Sequence, residues 1–395
     1  MDLEKIRENI DAVDDEIATL YGKRMELVKQ VVEAKKQTGK ATFDPERERK
    51  ILLRVSQKVD ESCQVYLKRV FESIFETSKA YQTMNAETKS NIGEQIKSAL
   101  SKGYKAFPNG ARVACQGITG AYSGIAADRL FEFADITYFK NFDAVFQAVE
   151  KGFCQYGVLP IENSSAGSVN QVYDLMKKHK FYIVKSIRLW VSHTLIANKD
   201  TDIKDIKEII SHEQALLQCK GFLEKFAGVK ITAVANTAVA AKMVAESGRK
   251  DIAALSSREC ADIYGLKILE NNVQDSNSNY TRFILIAKDM EFYSDAKKIS
   301  IMTTLPQNTP GSLNKLLSKF YNLGINLTKL ESRPIVGSSF EFMFYFDFEC
   351  DINQKGVQNL LSELDNSAEQ FAFLGAYNEL QYLCQKKSSV LSARP

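Results

Sequence analysis

The sequence predicts a multi-domain protein with an all-α helical segment, an α/β segment and an α+β segment, in that order. Three observations support this prediction. Residues 1–84 place apolar side chains at helical 3-4 spacing and contain a single Pro. Residues 111–289 alternate short apolar runs with helical patterns, which indicates α/β structure with a largely parallel sheet. Residues 297–380 mix alternating strand patterns with two helical patterns, and 395 residues exceed one ordinary core.

The helical segment (1–84) is predicted to contain three helices. Its apolar stripe runs from Leu3 to Ala34, and such a long helix needs partner helices to cover the stripe. Asp44 is a good N-cap and Pro45 suits the first helical position, so we expect a second helix to begin there. A third helix is expected over about 62–84.

Residues 85–110 are polar and end in FPNG, which predicts a linker with a turn. The last segment (297–380) follows the order strand, helix, strand, strand, helix, strand, which is ferredoxin-like, with its final strand near 371–377. The middle segment (111–289) has seven candidate strands, namely ARVACQG, YGVLPIE, IANKD, IKEIISH, KITAVAN, DIAALSS and RFILIAK.

Composition and charge exclude several classes of protein. The net charge of +3 comes from 52 basic and 49 acidic residues, without the concentrated basic face expected for nucleic-acid binding. No apolar run has the length of a membrane span, and the charged N-terminus predicts no signal peptide. The 7 Cys lack a Cys-x-x-Cys motif and predict reduced thiols in a cytoplasm. The 3 His lack metal-ligand spacing and no phosphate-binding Gly motif occurs, so we expect neither metal nor cofactor.

One helix face carries cations where apolar residues would be expected. Arg24 lies on the apolar stripe of the first helix, and Lys35 follows about three turns later on nearly the same face. Arg7 is offset by about a quarter turn, as if it served another site. A pocket for a small dicarboxylate would explain this set, because Arg forks suit carboxylates. The structural alternative is a set of salt bridges to nearby acids, namely Asp11, Asp14 and Glu48.

The helical segment resembles an all-helical chorismate mutase of the AroQ type. The resemblance rests on eight polar positions at family spacing: Arg7, Arg24, Lys35, Asp44, Arg47, Glu48, Ser78 and Gln82. It implies that Arg24 and Arg7 hold carboxylates, Arg7 in the partner chain's site, and that Lys35 and Gln82 donate to the breaking ether oxygen. Glu48 and the backbone near Asp44 would hold the hydroxyl, while Arg47 and Ser78 complete the wall. Capping alone also explains Asp44.

The middle segment has four polar clusters at predicted strand ends: GITGAYSG, PIENSSAGSV, SHEQALLQC and DSNSNYTRF. Any single cluster is explained by turn chemistry and helix capping. Four clusters at strand carboxyl ends, with few charges, instead predict one cleft that binds a polar anion.

These clusters resemble prephenate dehydratase over about 111–288, through Gly-x-x-Gly-Ala-Tyr-Ser, Pro-Ile-Glu-Asn-Ser-Ser-x-Gly and Asn-x-Thr-Arg-Phe. The resemblance implies two α/β lobes, like a periplasmic binding protein, with the site between them and the Thr-Arg pair facing it. Thr281 would protonate the departing hydroxyl and Arg282 would bind a substrate carboxylate. The other expected substrate contacts are Asn163, Ser164, Ser211, Gln218 and Phe283. Glu213 departs from the family, where many relatives have Pro.

The last segment resembles the ACT domain that follows prephenate dehydratases. That resemblance implies feedback inhibition by phenylalanine bound at a dimer interface, and the alternative is a domain used for dimerisation alone. Asn308 and Asn326 are expected to flank the strand-helix turn at Gly311 and to bind the amino acid. The expected effector residues are Asn308, Gly311, Leu313, Asn326, Glu331, Ser332, Arg333 and Pro334.

Taken together, the resemblances imply a bifunctional enzyme of phenylalanine biosynthesis. It would convert chorismate to prephenate and prephenate to phenylpyruvate, as a homodimer or higher homo-oligomer in the cytoplasm, without nucleic acid or membrane partners. One alternative is a prephenate dehydratase with a non-catalytic helical dimerisation domain, although a plain dimeriser would carry Leu at position 24. Another is a ligand-binding sensor of the periplasmic type without catalysis, which the Thr-Arg-Phe sequence disfavours.

Overall fold

The computed structural model of the chain describes residues 2–38, 44–85, 88–307, 309–335 and 341–382. These form two compact units. The first unit combines Met1–Ser101 with Ile299–Phe373, and the second combines Lys102–Lys298 with Leu374–Pro395. The predicted segment limits stay predictions, and the helical segment and most of the last segment lie in the same unit.

Four helices make up the first hundred residues: α1 (Leu3–Thr38), α2 (Pro45–Ser56), α3 (Glu61–Asn85) and α4 (Asn91–Ser101). The three helices predicted for the helical segment are confirmed. Asp44 caps α2 as predicted, because its carboxylate accepts a 2.9 Å hydrogen bond from the Arg47 backbone N–H. No helix of the described ranges is both long and apolar enough to cross a bilayer.

The second unit is built mainly from the middle of the chain. Its helices are α5 (Tyr122–Leu130), α6 (Phe142–Glu150), α7 (Asn170–Met176), α8 (Glu213–Gln218), α9 (Lys220–Leu223), α10 (Thr237–Ser247) and α11 (Arg258–Tyr264). Its strands are β1 (Gly110–Gln116), β2 (Phe133–Phe139), β3 (Tyr156–Asn163), β4 (Gly167–Ser168), β5 (Tyr182–Trp190), β6 (Thr194–Ala197), β7 (Glu208–Ser211), β8 (Lys230–Ala233), β9 (Ile252–Ser256), β10 (Lys267–Glu270) and β11 (Tyr280–Ala287).

The last part of the chain has the predicted ferredoxin-like element order. Its elements are β12 (Lys298–Thr304), α12 (Ser312–Asn322), β13 (Asn326–Pro334), β14 (Phe342–Glu349), α13 (Val357–Ser367) and β15 (Phe371–Tyr382). The strand order β13-β14-β12-β15 is the one that this fold requires. β15 is longer than predicted: it starts in the first unit and ends in the second.

The predicted linker contains a docked helix. α4 packs against α13, and its Ile96 is fully buried. The Ile92 backbone N–H donates a 3.1 Å hydrogen bond to the Asp365 carboxylate, so a residue of α13 satisfies one of the unpaired amides of the first turn. This helix was not predicted, although Ile92, Ile96 and Leu100 follow one another at helical spacing within the polar stretch.

The second unit has two sheets, and both are mixed, which corrects the prediction of a largely parallel sheet. One has the order β15-β5-β11-β3-β1-β2, with β4 on β3, and the other has the order β10-β6-β9-β7-β8. In the first sheet β11 is antiparallel to both β3 and β5. In the second, β6 is antiparallel to β9 and to β10. Strands buried on both faces are continuous apolar runs in either orientation, so the sequence does not reveal their direction.

Each sheet has its own hydrophobic core, which confirms the predicted two-lobed architecture. Val113, Val158 and Leu285 are fully buried in the core of the first sheet. Ala241 and Ala254 are fully buried in a core of the second. All seven candidate strands are present, as β1, β3, β6, β7, β8, β9 and β11. The prediction missed β2, β4, β5 and β10.

Candidate active sites

Arg24 is set into the helical core of the first unit. It is half-buried, its Nη1 donates to Ser78 Oγ on α3, and its guanidinium lies 5.8 Å from the centre of the Phe75 ring. Burial lowers the pKa of Arg24 from its ordinary value, yet a guanidinium remains charged in proteins. Among the described side chains, Arg24 has a hydroxyl and an aromatic ring as partners and no carboxylate, so its charge is available to an anion.

The predicted partners on α3 adjoin Arg24. Ser78 is buried, and its hydroxyl donates a 2.6 Å hydrogen bond to the Ile74 carbonyl while accepting from Arg24. Gln82 lies one turn further along the same helix. Its Oε1 is buried and, within the part of the chain that the structure describes, has no hydrogen-bond partner. An unsatisfied buried amide is unfavourable in a packed core and is expected where a ligand completes the site.

Glu48 on α2 does not pair with Arg24. Its carboxylate instead lies 2.9 Å from the Lys79 ammonium, which also lies 3.1 Å from Glu76. Among the described residues, no ion pair joins Arg7 or Arg24 to the acids of the structural alternative, namely Asp11, Asp14 and Glu48. Arg7 and Arg24 are therefore not explained by those salt bridges. Lys79 is a further cation near the site that was not among the predicted residues.

The remaining predicted residues of the helical site lie outside this group of contacts. Arg7 is exposed and about 25 Å from Arg24 along α1. Arg47 is exposed, and Asp44 serves as the cap of α2. The side chain of Lys35 is outside the described residues. One chain thus brings together Arg24 and Ser78, with Gln82 one turn away and Glu48 on the neighbouring helix.

A network of amides and hydroxyls forms where β3 and β11 pair in the second unit. The antiparallel register places Thr281 opposite Asn163. Asn163 Nδ2 donates to Thr281 Oγ1 at 2.9 Å and to Asn279 Oδ1 at 2.8 Å. Asn163 Oδ1 accepts from the Ser165 hydroxyl at 2.7 Å and from the Ala166 backbone N–H at 2.8 Å. Asn163 therefore fixes the Thr281 hydroxyl from one side.

Gln218, at the end of α8, joins this network from the other lobe. Its Nε2 donates to Ser165 Oγ at 2.8 Å, and its Oε1 accepts from Asn279 Nδ2 at 2.9 Å. The Nε2–H of His193 donates to the same Oε1 at 2.9 Å. The predicted residues Asn163, Gln218 and Thr281 thus converge between the lobes.

The sequence analysis missed His193, which is 2% exposed. Burial lowers the pKa of His193, so its imidazole is neutral at pH 7. Its Nδ1 is buried and, among the described residues, has no hydrogen-bond partner. No spacing signal marks this residue, whereas Asn279 could have been identified because it is the first residue of Asn-x-Thr-Arg-Phe.

Other predicted dehydratase residues have local roles. Ser211 is fully buried and donates a 2.6 Å hydrogen bond to the Leu255 carbonyl. Ser164 donates at 2.7 Å to the Ser278 carbonyl, which ties the β3 loop to the segment before β11. Phe283 packs in the core of the first sheet. Substrate contacts by these three residues stay predictions.

Arg282 does not face the network that contains Thr281. Neighbouring residues of a strand point to opposite faces, and the Arg282 guanidinium lies 2.7 Å from Glu379 Oε2 and 2.6 Å from the Tyr377 hydroxyl. Only 4% of Arg282 is exposed. The sequence analysis placed both residues at one cleft; the structure separates them, and a contact of Arg282 with substrate stays a prediction.

The predicted effector residues lie at two ends of the ferredoxin-like fold. Gly311 precedes α12 with φ of 86°, a conformation that favours glycine. Asn326 lies after α12, at the start of β13, and donates a 3.0 Å hydrogen bond to Glu349, so it does not flank the Gly311 turn. Leu313 is in the first turn of α12 and Glu331–Pro334 end the edge strand β13, while Asn308 is outside the described residues.

Comparison with known proteins identifies relatives of both parts of the chain. A family model described as chorismate mutase type II matches residues 6–83, and one described as prephenate dehydratase matches residues 113–291. The chain is 34% identical over 381 residues to a bifunctional chorismate mutase/prephenate dehydratase of Enterobacter agglomerans, covering 94% of this chain and 95% of that protein.

Two further comparisons concern the dehydratase part. The chain is 37% identical over 313 residues to the chloroplastic arogenate dehydratase/prephenate dehydratase 2 of Arabidopsis thaliana, covering 76% of this chain and 80% of that protein. A crystal structure of prephenate dehydratase from Arthrobacter aurescens in complex with L-Phe has a TM-score of 0.62 at 24% identity. The match covers 68% of this chain and 90% of the Arthrobacter aurescens chain, and it supports the fold.

Proposed function

The chain belongs to the bifunctional chorismate mutase/prephenate dehydratase family, and we propose that it carries out the two reactions at the two sites described above. The observation that carries this proposal is their contrasting chemistry. Arg24 supplies a half-buried cation in a helical core, whereas Thr281 supplies a hydroxyl fixed in a network of neutral amides. The first suits a rearrangement of a dianion, and the second suits loss of a hydroxyl group.

The mutase reaction needs shape and electrostatics instead of a nucleophile. Chorismate rearranges within one molecule when its side chain is held over the ring and charge on the ether oxygen is stabilised. Arg24 would hold a carboxylate, and Gln82 and Lys35 would donate to the ether oxygen. Glu48 would accept from the ring hydroxyl. The Nε2 group of Gln82 would make that donation, while its buried Oε1, an acceptor without a hydrogen-bond partner among the described residues, would accept from a donor of the bound molecule.

A second copy of the chain completes the mutase site in this proposal. The stripe of α1 is exposed in one chain, and several of its apolar residues are more than half accessible: Leu3 61%, Ile10 53%, Val13 55%, Ile17 57% and Leu20 61%. Such a continuous apolar face is expected to be covered. An α1–α1 contact would cover it and would bring Arg7, remote from Arg24 in its own chain, to the partner's site.

The dehydratase reaction breaks the bond between the ring and the carboxylate of prephenate, releasing CO2. The electron pair enters the ring and the hydroxyl leaves as water after taking up a proton. The Asn163 amide N–H occupies one lone pair of Thr281 Oγ1, which leaves the hydroxyl proton free to point at the departing oxygen. Asn163 and Gln218 are neutral, so a weak acid acts here through a preorganised hydrogen bond.

Phenylalanine is the proposed effector of the last segment. The ferredoxin-like strand order and the Gly311 turn support this assignment, and the related crystal structure was obtained with L-Phe. Dimerisation alone is the alternative role of this segment. Six described Cys are free thiols, as expected in the cytoplasm, which we propose as the location.

One assay tests both activities and separates the alternatives. Purified protein is mixed with chorismate, and chorismate loss and phenylpyruvate formation are followed together. We expect both, with prephenate as the intermediate. Phenylpyruvate from added prephenate without chorismate turnover would support a non-catalytic helical domain, and no turnover of either would support a sensor. Phenylalanine added to the same assay should slow phenylpyruvate formation; an unchanged rate would favour dimerisation alone.

A further inference from the structure

A cluster of buried charges lies directly behind Thr281. Arg282, the next residue of β11, is held by two residues of β15, with its Nε 2.7 Å from Glu379 Oε2 and its Nη2 donating to the Tyr377 hydroxyl at 2.6 Å. The Nε contact is an ion pair by distance and lacks hydrogen-bond geometry. Both Arg282 and Glu379 are at least nine-tenths buried.

Glu379 is the carboxylate on which this cluster depends. Besides Arg282 it contacts Arg188 at 2.8 Å and Lys298 at 3.1 Å, so one acid faces three cations. Glu162, on β3, is the other acid near Arg282, at the longer distance of 3.9 Å. Removing one partner of a buried charge pair is strongly unfavourable. The position of Glu379 therefore constrains where the Arg282 side chain can lie.

The ladder of β11 is irregular at this point on the side of β3, whereas its pairing with β5 is regular from Tyr280 to Leu285. The pairing of β11 with β3 shifts register between Arg282 and Phe283, immediately after the catalytic candidate Thr281. Bulges of this kind re-aim side chains next to active sites and interrupt the hydrogen bonds that would fix them. A side-chain anchor on Arg282 compensates for the interruption and holds the strand where Thr281 must meet Asn163.

We propose that Glu379 is a positioning residue of the dehydratase site, acting through Arg282 on the Thr281 hydroxyl. The proposal rests on the function proposed for Thr281. It also gives the last segment a direct path to the reaction. β15 starts at Phe371, among residues grouped with the first unit, and eight residues later presents Glu379 within the second.

The test compares Glu379→Gln, which keeps the size of the side chain, with Glu208→Gln, the same change at an acid of β7 that pairs with Lys230 at 3.1 Å and with Arg249 at 2.8 Å. Steady-state dehydratase kinetics are measured on variants whose unfolding midpoints show that they are folded. We expect Glu379→Gln to lower kcat by ~10- to 100-fold with a smaller change in KM, since misplacement of a reacting group by about 1 Å has effects of this size. Glu208→Gln should keep kcat within about twofold, because its ion pairs share no residue with the cluster around Arg282.

Two further variants make the result decisive. If Glu379 acts through Arg282, Glu379→Gln combined with Arg282→Gln should be no slower than the slower single variant. Full kcat in Glu379→Gln, an equal loss in Glu208→Gln, or additive losses in the double variant would overturn the inference. Thr281→Val separates the failure of the proposed function from the failure of this inference. Dehydratase activity in that variant would remove the role of Thr281 and the inference with it. An inactive Thr281→Val beside a fully active Glu379→Gln would remove the inference alone.

Discussion

Replacing Thr281 by Val removes the proposed proton donor and retains the side-chain shape. Among the described residues, Thr281 Oγ1 has one hydrogen-bond partner, Asn163 Nδ2 at 2.9 Å. That amide keeps two other acceptors, Asn279 Oδ1 at 2.8 Å and the Tyr280 carbonyl at 3.2 Å. The variant therefore leaves no donor unsatisfied, and the free energy of unfolding should fall by only about 1 kcal/mol.

The catalytic effect should be far larger than the effect on stability. A positioned general acid contributes about 10²- to 10⁴-fold to a rate, which corresponds to roughly 3 to 5 kcal/mol of barrier. Phenylpyruvate formation from prephenate should fall by that factor. Chorismate loss by the same preparation is the internal control, and it should remain unchanged because the mutase residues lie on α1 to α3.

A matched substitution sharpens this test. Thr281→Ser retains a hydroxyl and should keep measurable dehydratase activity, reduced by the freer rotation of the side chain. A fully active Thr281→Val, or a Ser variant as inactive as the Val variant with both folded, would refute the reasoning that the hydroxyl proton is what Thr281 supplies.

Three further predictions concern other parts of the chain. Arg24→Met should lower chorismate turnover by at least ~10- to 100-fold, since a charged hydrogen bond contributes about 1.5–3 kcal/mol, and should spare prephenate turnover; equal loss of both would show that the chain is divided wrongly. Ile17→Asp places a charge on the exposed α1 stripe and should halve the mass measured by light scattering while abolishing mutase activity; an unchanged mass would place the dimer contact elsewhere. Burial depresses the pKa of His193, so as the pH falls below about 6.5 the imidazole is protonated in the unfolded chain before it is protonated in the folded chain. The free energy of unfolding therefore decreases with falling pH, by up to about 1.4 kcal/mol per pH unit. His193→Gln should flatten the difference in denaturant midpoint between pH 7.5 and 5.5, and an unchanged pH dependence would contradict a neutral buried imidazole.

Local patterns in the sequence were sufficient for most elements. The apolar stripe from Leu3, the cap at Asp44 and the seven apolar runs each predicted an element that the structure contains. These features depend on neighbours within a few residues, so they can be recognised before any tertiary contact is known. Most of the candidate mutase and dehydratase residues came instead from the resemblance of their motifs to known families, and their roles stay predictions.

The missed features depend on partners far along the chain. α4 is a short amphipathic helix within a polar stretch and packs on α13. His193 carries no spacing signal and is fixed by Gln218. The direction of β11 follows from its pairing with β3 and β5, since an apolar run serves either orientation.

The sequence alone determined most of the helices and strands, because periodicity and residue type are properties of short stretches. Tertiary structure decided which side chains meet. Thr281 and Arg282 are adjacent in sequence, yet the alternation of a strand sends one to Asn163 and the other to Glu379, nearly a hundred residues further on.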